Sequence, residues 1–167
     1  PAATPPTSLK ALRQGLHDVG YIEGKSIIIE YRFAEYKPER LPELASDLVG
    51  FKVDVIVTSQ TPSVQAIQKV SSTIPIVFGA LSFPIENGII ASFARPGRNA
   101  TGMTVLSEEL NGKRLELLKE AAPKIMRIGV FSNLDNPTQP LEWKQIQSAA
   151  QGLGLKLQSL GVHNAND

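Results

Sequence analysis

The sequence predicts an α/β fold built on parallel sheets. Near-continuous apolar runs rich in β-branched residues, Val53-Asp54-Val55-Ile56-Val57-Thr58 and Ile74-Pro75-Ile76-Val77-Phe78, suit strands covered on both faces by helices. Between such runs, apolar residues recur at helical spacing. Strand and helix patterns alternate along the chain without an internal repeat, as βαβ units do.

Pro1 to Pro6 is a loop by composition, and Thr7 or Ser8 caps a first helix whose Leu9, Leu12, Leu16 and Val19 form a stripe until Gly20. After a turn from Tyr21 to Lys25, with Gly24 suited to left-handed backbone, Ser26 to Phe33 reads as a strand. Ile27, Ile29, Tyr31 and Phe33 share one of its faces. Lys37-Pro38-Glu39 opens a second helix, with Leu41, Leu44, Ala45, Leu48 and Val49 inward and Gly50 near its end. The strand Val53 to Thr58 follows; Pro62 then begins a third helix with Val64, Ile67 and Val70 inward. Ile74 to Phe78 is the next strand, Glu86 to Phe93 a short fourth helix closed by Arg95-Pro96-Gly97, and Thr101 to Val105 a short strand. Ser107-Glu108-Glu109-Leu110 reads as the cap and acidic first turn of a long helix that Pro123 stops after Ala122. Ile125 to Phe131 is a strand, Asn133 to Pro140 a loop, Leu141 to Leu153 a helix, and Leu155 to Leu160 a final strand.

Bulk properties narrow the function classes. A hydrophobic fraction of 42% and a charged fraction of 20% are those of an ordinary soluble globular protein. Seventeen basic against sixteen acidic residues give a net charge of +1, with no electrostatic footprint for nucleic acid. The absence of cysteine removes thiol catalysis, disulfides and thiolate metal sites. His17 and His163 are far apart in sequence and give no zinc-type spacing. No apolar run approaches the ~20 residues that span a membrane, and the N-terminus lacks the pattern of a signal peptide.

The candidate site lies at the carboxyl ends of the strands, where open α/β sheets bind ligands. Thr58, Ser59, Gln60 and Thr61 join a strand to a helix N-terminus. They suit an ordinary N-cap, with Ser59 or Thr61 satisfying orphan amides, ahead of a cradle for a small anion. Gly79-Ala80-Leu81-Ser82-Phe83-Pro84 ends the next strand; its small residues, Ala80 and Ser82 among them, let a ligand approach the backbone. Phe83 either stacks on an apolar group or packs under its own loop. Asn133, Asp135 and Asn136 occupy the matching position in the last third, as cleft residues or as turn formers before Pro137. Tyr36 and Trp143 flank helices, as interface or core residues.

Enzymatic readings lack support. Ser59 has no evident histidine partner, and Gly97-Arg98-Asn99-Ala100-Thr101-Gly102 lacks the lysine and the context of a phosphate loop. Glu108, Glu109, Glu116 and Glu120 belong on an exposed helix, with Lys113 and Lys119 near enough to pair. No residue set calls for a cofactor or metal.

The order of motifs carries a resemblance. Gln14-Gly15-Leu16, Gly20-Tyr21-Ile22-Glu23-Gly24-Lys25, Ile29-Glu30-Tyr31-Arg32, Leu41-Pro42-Glu43-Leu44-Ala45 and the two apolar strands resemble ABC-transporter substrate-binding proteins of the tryptophan/tyrosine-binding type. So do Ala94-Arg95-Pro96-Gly97, Asn99-Ala100-Thr101-Gly102 and Gly112-Lys113-Arg114-Leu115-Glu116-Leu117-Leu118-Lys119. That resemblance implies a type I periplasmic-binding-protein fold of two Rossmann-like lobes that close on a solute. Residues 1–105 would form most of the first lobe, without its first strand, and residues 106–167 the hinge and start of an incomplete second lobe. A pattern that starts with a helix and stops after a strand is then expected of a fragment.

The family's ligand loops fall on Ser59-Gln60-Thr61-Pro62 and Ala80-Leu81-Ser82-Phe83-Pro84, with a second-lobe contribution near Asn133. Similar proteins commonly carry an aspartate where this chain has Phe83, so the second loop favours a less cationic or more apolar solute. Arg98, where glycine is more usual, is a further departure. The implied function is the extracytoplasmic solute-binding component of an ABC-type importer. It would trap an amino acid or related small carboxylate and dock on a permease and ATPase complex, in the periplasm or as a cell-surface lipoprotein. The alternatives are a ligand-sensing domain of a signalling protein and a flavodoxin-like or Rossmann-like enzyme fragment.

Overall fold

Helix α1, Thr7–Asp18, presents Leu9, Leu12 and Leu16 on one face, and these are its half-buried residues. The computed structural model describes residues 7–105 and 110–163, and the chain divides into two units, Pro1–Phe33 and Ala34–Asp167. The loop expected at Pro1 to Pro6 and the cap expected at Ser107 to Glu109 lie outside the described residues.

In the first unit, α1 is followed by a turn in which Glu23 is the fixed point. Arg13 reaches its Oε2 at 2.7 Å, and the Tyr31 hydroxyl donates to its Oε1 at 3.0 Å. Burial, then the bond to Glu23, pushes the Tyr31 hydroxyl above the ordinary phenol pKa. The strand expected from Ser26 to Phe33 does not form. Ile27, Ile29 and Tyr31 are half-buried while Ile28 and Glu30 are exposed, so the two-residue period is real. A strand also needs a neighbour to complete its ladder, and among the described residues the segment's one bridge joins Ile27 to Glu23.

The second unit opens on a tight turn whose ends are joined by the Lys37 N–H donating to the Ala34 carbonyl at 3.0 Å. Both central residues are left-handed, Glu35 at φ 53° and Tyr36 at φ 61°. That is type I′ geometry, which glycine and asparagine accept more readily. Tyr36 is fully exposed, so no burial of its ring offsets the strain. Tyr36→Gly is expected to stabilise the fold by about 1 kcal/mol, read as a higher urea midpoint at an unchanged slope.

A 3-10 turn at Pro38–Arg40 leads into α2, Leu41–Gly50, which buries Ala45. Strand β1, Ile56–Thr58, is followed by α3, Thr61–Val70, and then by β2, Ile76–Leu81. Strand β3, Ala100–Thr104, completes a parallel sheet of order β1-β2-β3. Ile56, Ile76 and Ala100 lie side by side across it, and all three are buried. With Val64, Ile67, Phe78, Leu81, Ile89 and Ile90 they make one core.

The helix expected from Glu86 to Phe93 is a single turn. The Ile89 N–H donates to the Pro84 carbonyl and the Gly88 N–H to the Ile85 carbonyl, both at 2.9 Å, with Gly88 at φ 68°. These are the two bonds of a Schellman motif, so the glycine closes the helix as soon as it starts.

Helix α4, Leu110–Ala121, precedes β4, Arg127–Asn133; α5, Gln139–Gly152, precedes β5, Lys156–Val162. β4 and β5 pair in parallel from Arg127↔Lys156 to Asn133↔Val162. Leu115, Ala150 and Leu155 form a second core, separate from the first. Lys113 pairs with Glu116 at 2.9 Å as expected, whereas Lys119 donates to the Ile125 carbonyl at 2.7 Å. Asn133, expected in a loop, is the last residue of β4.

Candidate functional site

Parallel pairing brings the first two candidate loops together. Thr58 of β1 is level with Phe78 of β2, so Ser59 and Gln60 leave the sheet beside Gly79 and Ala80. A side chain at Gly79 would touch the Ser59 Cβ and the Thr58 carbonyl, each 3.9 Å away. Gln60 occupies the N-cap of α3 in extended backbone, φ −132° and ψ 140°, and makes no side-chain capping bond. Thr61 is buried, while Ser59 and Gln60 are exposed. The expectation that Ser59 or Thr61 takes the N-cap position is therefore corrected: Gln60 takes it, because its extended backbone is what turns the chain into α3.

Strand β2 carries a bulge where the second loop begins. Phe78 is level with Gly102 and Leu81 with Thr104, so β2 has one residue more than β3 over that stretch. The bulge falls on Gly79 and Ala80 and re-aims the chain toward Ser82. The Leu81 carbonyl then accepts from the Thr104 hydroxyl at 2.7 Å and from the Val105 N–H at 2.9 Å, fixing the end of the strand. Ala80 is exposed and Ser82 half-buried. Phe83 is buried, at 6% exposure, with left-handed backbone at φ 52°.

Asn133 belongs to the other sheet, at the carboxyl end of β4. Its Oδ1 accepts the Asp135 N–H at 2.9 Å, and the Asn136 Oδ1 accepts the Thr138 N–H at 3.1 Å, two successive side-chain turns. The buried Thr138 hydroxyl lies 2.9 Å from Asn136 Oδ1 and 2.8 Å from Glu142 Oε1, one proton between two acceptors. A ring nitrogen of His163, after β5, lies 2.9 Å from Asp135. Asn133 and Asn136 edge a cleft of about 200 Å³ that Glu142 and Trp143 also line, together with Asn111 of α4. Glu142 and Trp143 were not singled out for this role by sequence, although Gln139, Glu142, Trp143 and Ile146 stand at the spacing of one helix face. Among the described residues no group of three histidine or acidic side chains converges as a metal site.

The arrangement is thus polar, built at strand ends, and furnished with hydrogen-bonding side chains. Residues 7–167 match the sequence model of a family described as ABC transporter substrate binding protein. The chain belongs to that family.

Among relatives of this chain, a tyrosine-binding protein of Clostridioides difficile (strain R20291) is 30% identical over 159 residues, spanning 95% of this chain and 45% of the relative. A conserved domain protein from Vibrio cholerae superposes with a TM-score of 0.85 at 32% identity, over 98% of this chain and 56% of that one. An ABC domain from Streptococcus pneumonia, solved in complex with L-Trp, superposes with a TM-score of 0.80 over the same shares, 98% and 56%. Its 20% identity makes that a likeness of fold. The chain spans about half the length of these relatives, as 45% and 56% coverage express. The periplasmic-binding-protein fold implied by the sequence is the one these neighbours share with it. No described helix is long and apolar enough to cross a membrane.

Proposed function

We propose that this chain is part of the extracytoplasmic solute-binding component of an ABC-type importer, and that it helps trap an amino acid or related small carboxylate between two lobes. Residues 1–105 belong to the first lobe and residues 106–167 begin the second. The observation that carries this reading is the uncapped start of α3, which emerges beside the bulged end of β2 with Ser59, Gln60 and Ala80 exposed. Free N–H groups at a helix N-terminus favour a carboxylate, and small exposed residues leave it room. Ser59, Gln60, Thr61, Ala80, Ser82 and Phe83 serve the first lobe, Thr61 and Phe83 from buried positions, and Asn133 the second. The 30% identity to a tyrosine-binding protein supports an aromatic amino acid as the first solute to try.

The reading implies a non-enzymatic protein in the periplasm or held at the cell surface, with a permease and ATPase as partners. Its test is calorimetric titration of the full-length protein with L-tyrosine. Ser59→Ala is expected to weaken affinity about tenfold, the worth of one hydrogen bond to a charged group. An unchanged affinity would take the first loop out of the site. Because the family resemblance places an aspartate where this chain has Phe83, tyrosine without its ammonium, 4-hydroxyphenylpropionate, is expected to bind within about tenfold of tyrosine.

A further inference from the structure

We propose that α3 couples the two loops of the first lobe, and that Gln68 and Asn87 are positioning residues that hold the second loop in its binding geometry. The inference rests on the functional reading above. Helix α3 starts directly after Ser59 and Gln60, so its N-terminus is part of the first loop. Two turns further on, the same helix grips the turn that follows the second loop. Gln68 Nε2 donates to the Ile89 carbonyl at 3.1 Å, and Gln65 Nε2 reaches the Asn87 carbonyl at 3.4 Å. Asn87 in turn donates twice to the Phe83 carbonyl, from its side chain at 2.8 Å and its N–H at 3.0 Å.

Those two bonds hold the one residue of the loop whose backbone is strained. A buried phenylalanine at φ 52° needs its surroundings to fix it. Val64 and Ile67 of α3 sit in the same core as Ile89 and Ile90, so helix and loop share their packing as well. An amide side chain bridging to a carbonyl 21 residues away caps nothing on its own helix. What it specifies is distance between α3 and the loop. A binding protein gains from this, since a loop that occupies its competent geometry only part of the time loses apparent affinity by that fraction.

The test removes donors, at nearly constant volume for Gln68→Met and by truncation for Asn87→Ala, and reads two quantities on the full-length protein. Gln68→Met and, separately, Asn87→Ala are expected to speed amide hydrogen exchange in residues 82–90 and, through α3, in residues 59–64, without ligand present. With L-tyrosine as probe, association is expected to slow about fivefold while dissociation stays as in wild type, because fewer molecules start competent. Gln65→Met, which removes the longer bond, is expected to give the smaller effect. If either variant lowers the unfolding midpoint but leaves loop exchange at the wild-type rate, the side chain is only packing and the proposal is wrong. If both loops exchange faster while wild type fails to bind L-tyrosine, the coupling stands and the solute reading fails. Faster exchange with unchanged association would confine the effect to the ligand-free fold and overturn the positioning role.

Discussion

Gly102→Ala is expected to destabilise the fold by about 3 kcal/mol or more, seen as a large drop in urea midpoint. A Cβ at Gly102 would stand 2.0 Å from the Phe78 carbonyl oxygen and 2.7 Å from a ring carbon of Phe78. Neither obstacle can step aside. The carbonyl is backbone in the central strand, and the ring is 2% exposed in the core. Gly102 and Phe78 face each other in the β2–β3 ladder, so the methyl group has to part the strands at the point where the bulge begins. Gly161→Ala is the control. A Cβ there would also fall inside contact distance, 2.7 Å from Leu134, but the obstacle is the end of a side chain that is 47% exposed. Leu134 can rotate away, and a cost of about 1 kcal/mol or less is expected. Equal costs at the two glycines would show that close approach to the Phe78 backbone is not what Gly102 is for.

Ile76→Ala is expected to cost about 4 kcal/mol by the same measurement. Ile76 is fully buried at the middle of the three-stranded sheet, between Ile56 and Ala100. One neighbour in that row is already an alanine, so the cavity has little side chain beside it to collapse inward. This puts the cost toward the upper part of the range for such truncations. Val77 is the next residue on the same strand, 39% exposed on the other face, and Val77→Ala should cost less than about 1 kcal/mol. The contrast tests whether the sheet buries one face against the core more fully than the other.

Legibility followed the range of the interaction concerned. Local signals were readable: Gly20 ends α1 in the bond from Tyr21 to the Leu16 carbonyl, Pro62 lies in the first turn of α3, and the apolar runs at Ile56 and Ile76 became β1 and β2. What escaped depends on partners distant in sequence or on backbone angles. The Ser26 to Phe33 segment has the alternation of a strand but no ladder beyond a bridge, and periodicity reports faces without reporting neighbours. Glu86 to Phe93 has helix-like composition, yet Gly88 closes it after one turn. The resemblance picked out Asn99-Ala100-Thr101-Gly102 as a motif, and the structure supplies its reasons. Asn99 donates to the carbonyls of Ser71 and Ile74, and Gly102 lets β3 lie against Phe78. At the site, the first two loops were readable because strand ends in a parallel sheet lie side by side. The left-handed backbone at Phe83 was not, since nothing in a phenylalanine announces it. Glu142 and Trp143 share a helix face that the sequence contains, but the cleft they line exists only once α5 packs beside β4.

The most direct test is the thermal unfolding midpoint of the full-length protein against increasing L-tyrosine, with L-tryptophan, L-leucine, 4-hydroxyphenylpropionate and a neutral sugar in parallel. A solute held only by the folded protein stabilises it by mass action, about 2.7 kcal/mol at a hundredfold excess over Kd. The midpoint is expected to climb steadily with an aromatic amino acid or its related carboxylate and to stay flat with the sugar. A midpoint that moves with none of the amino acids or carboxylates would contradict the reading of these strand-end loops as a solute site.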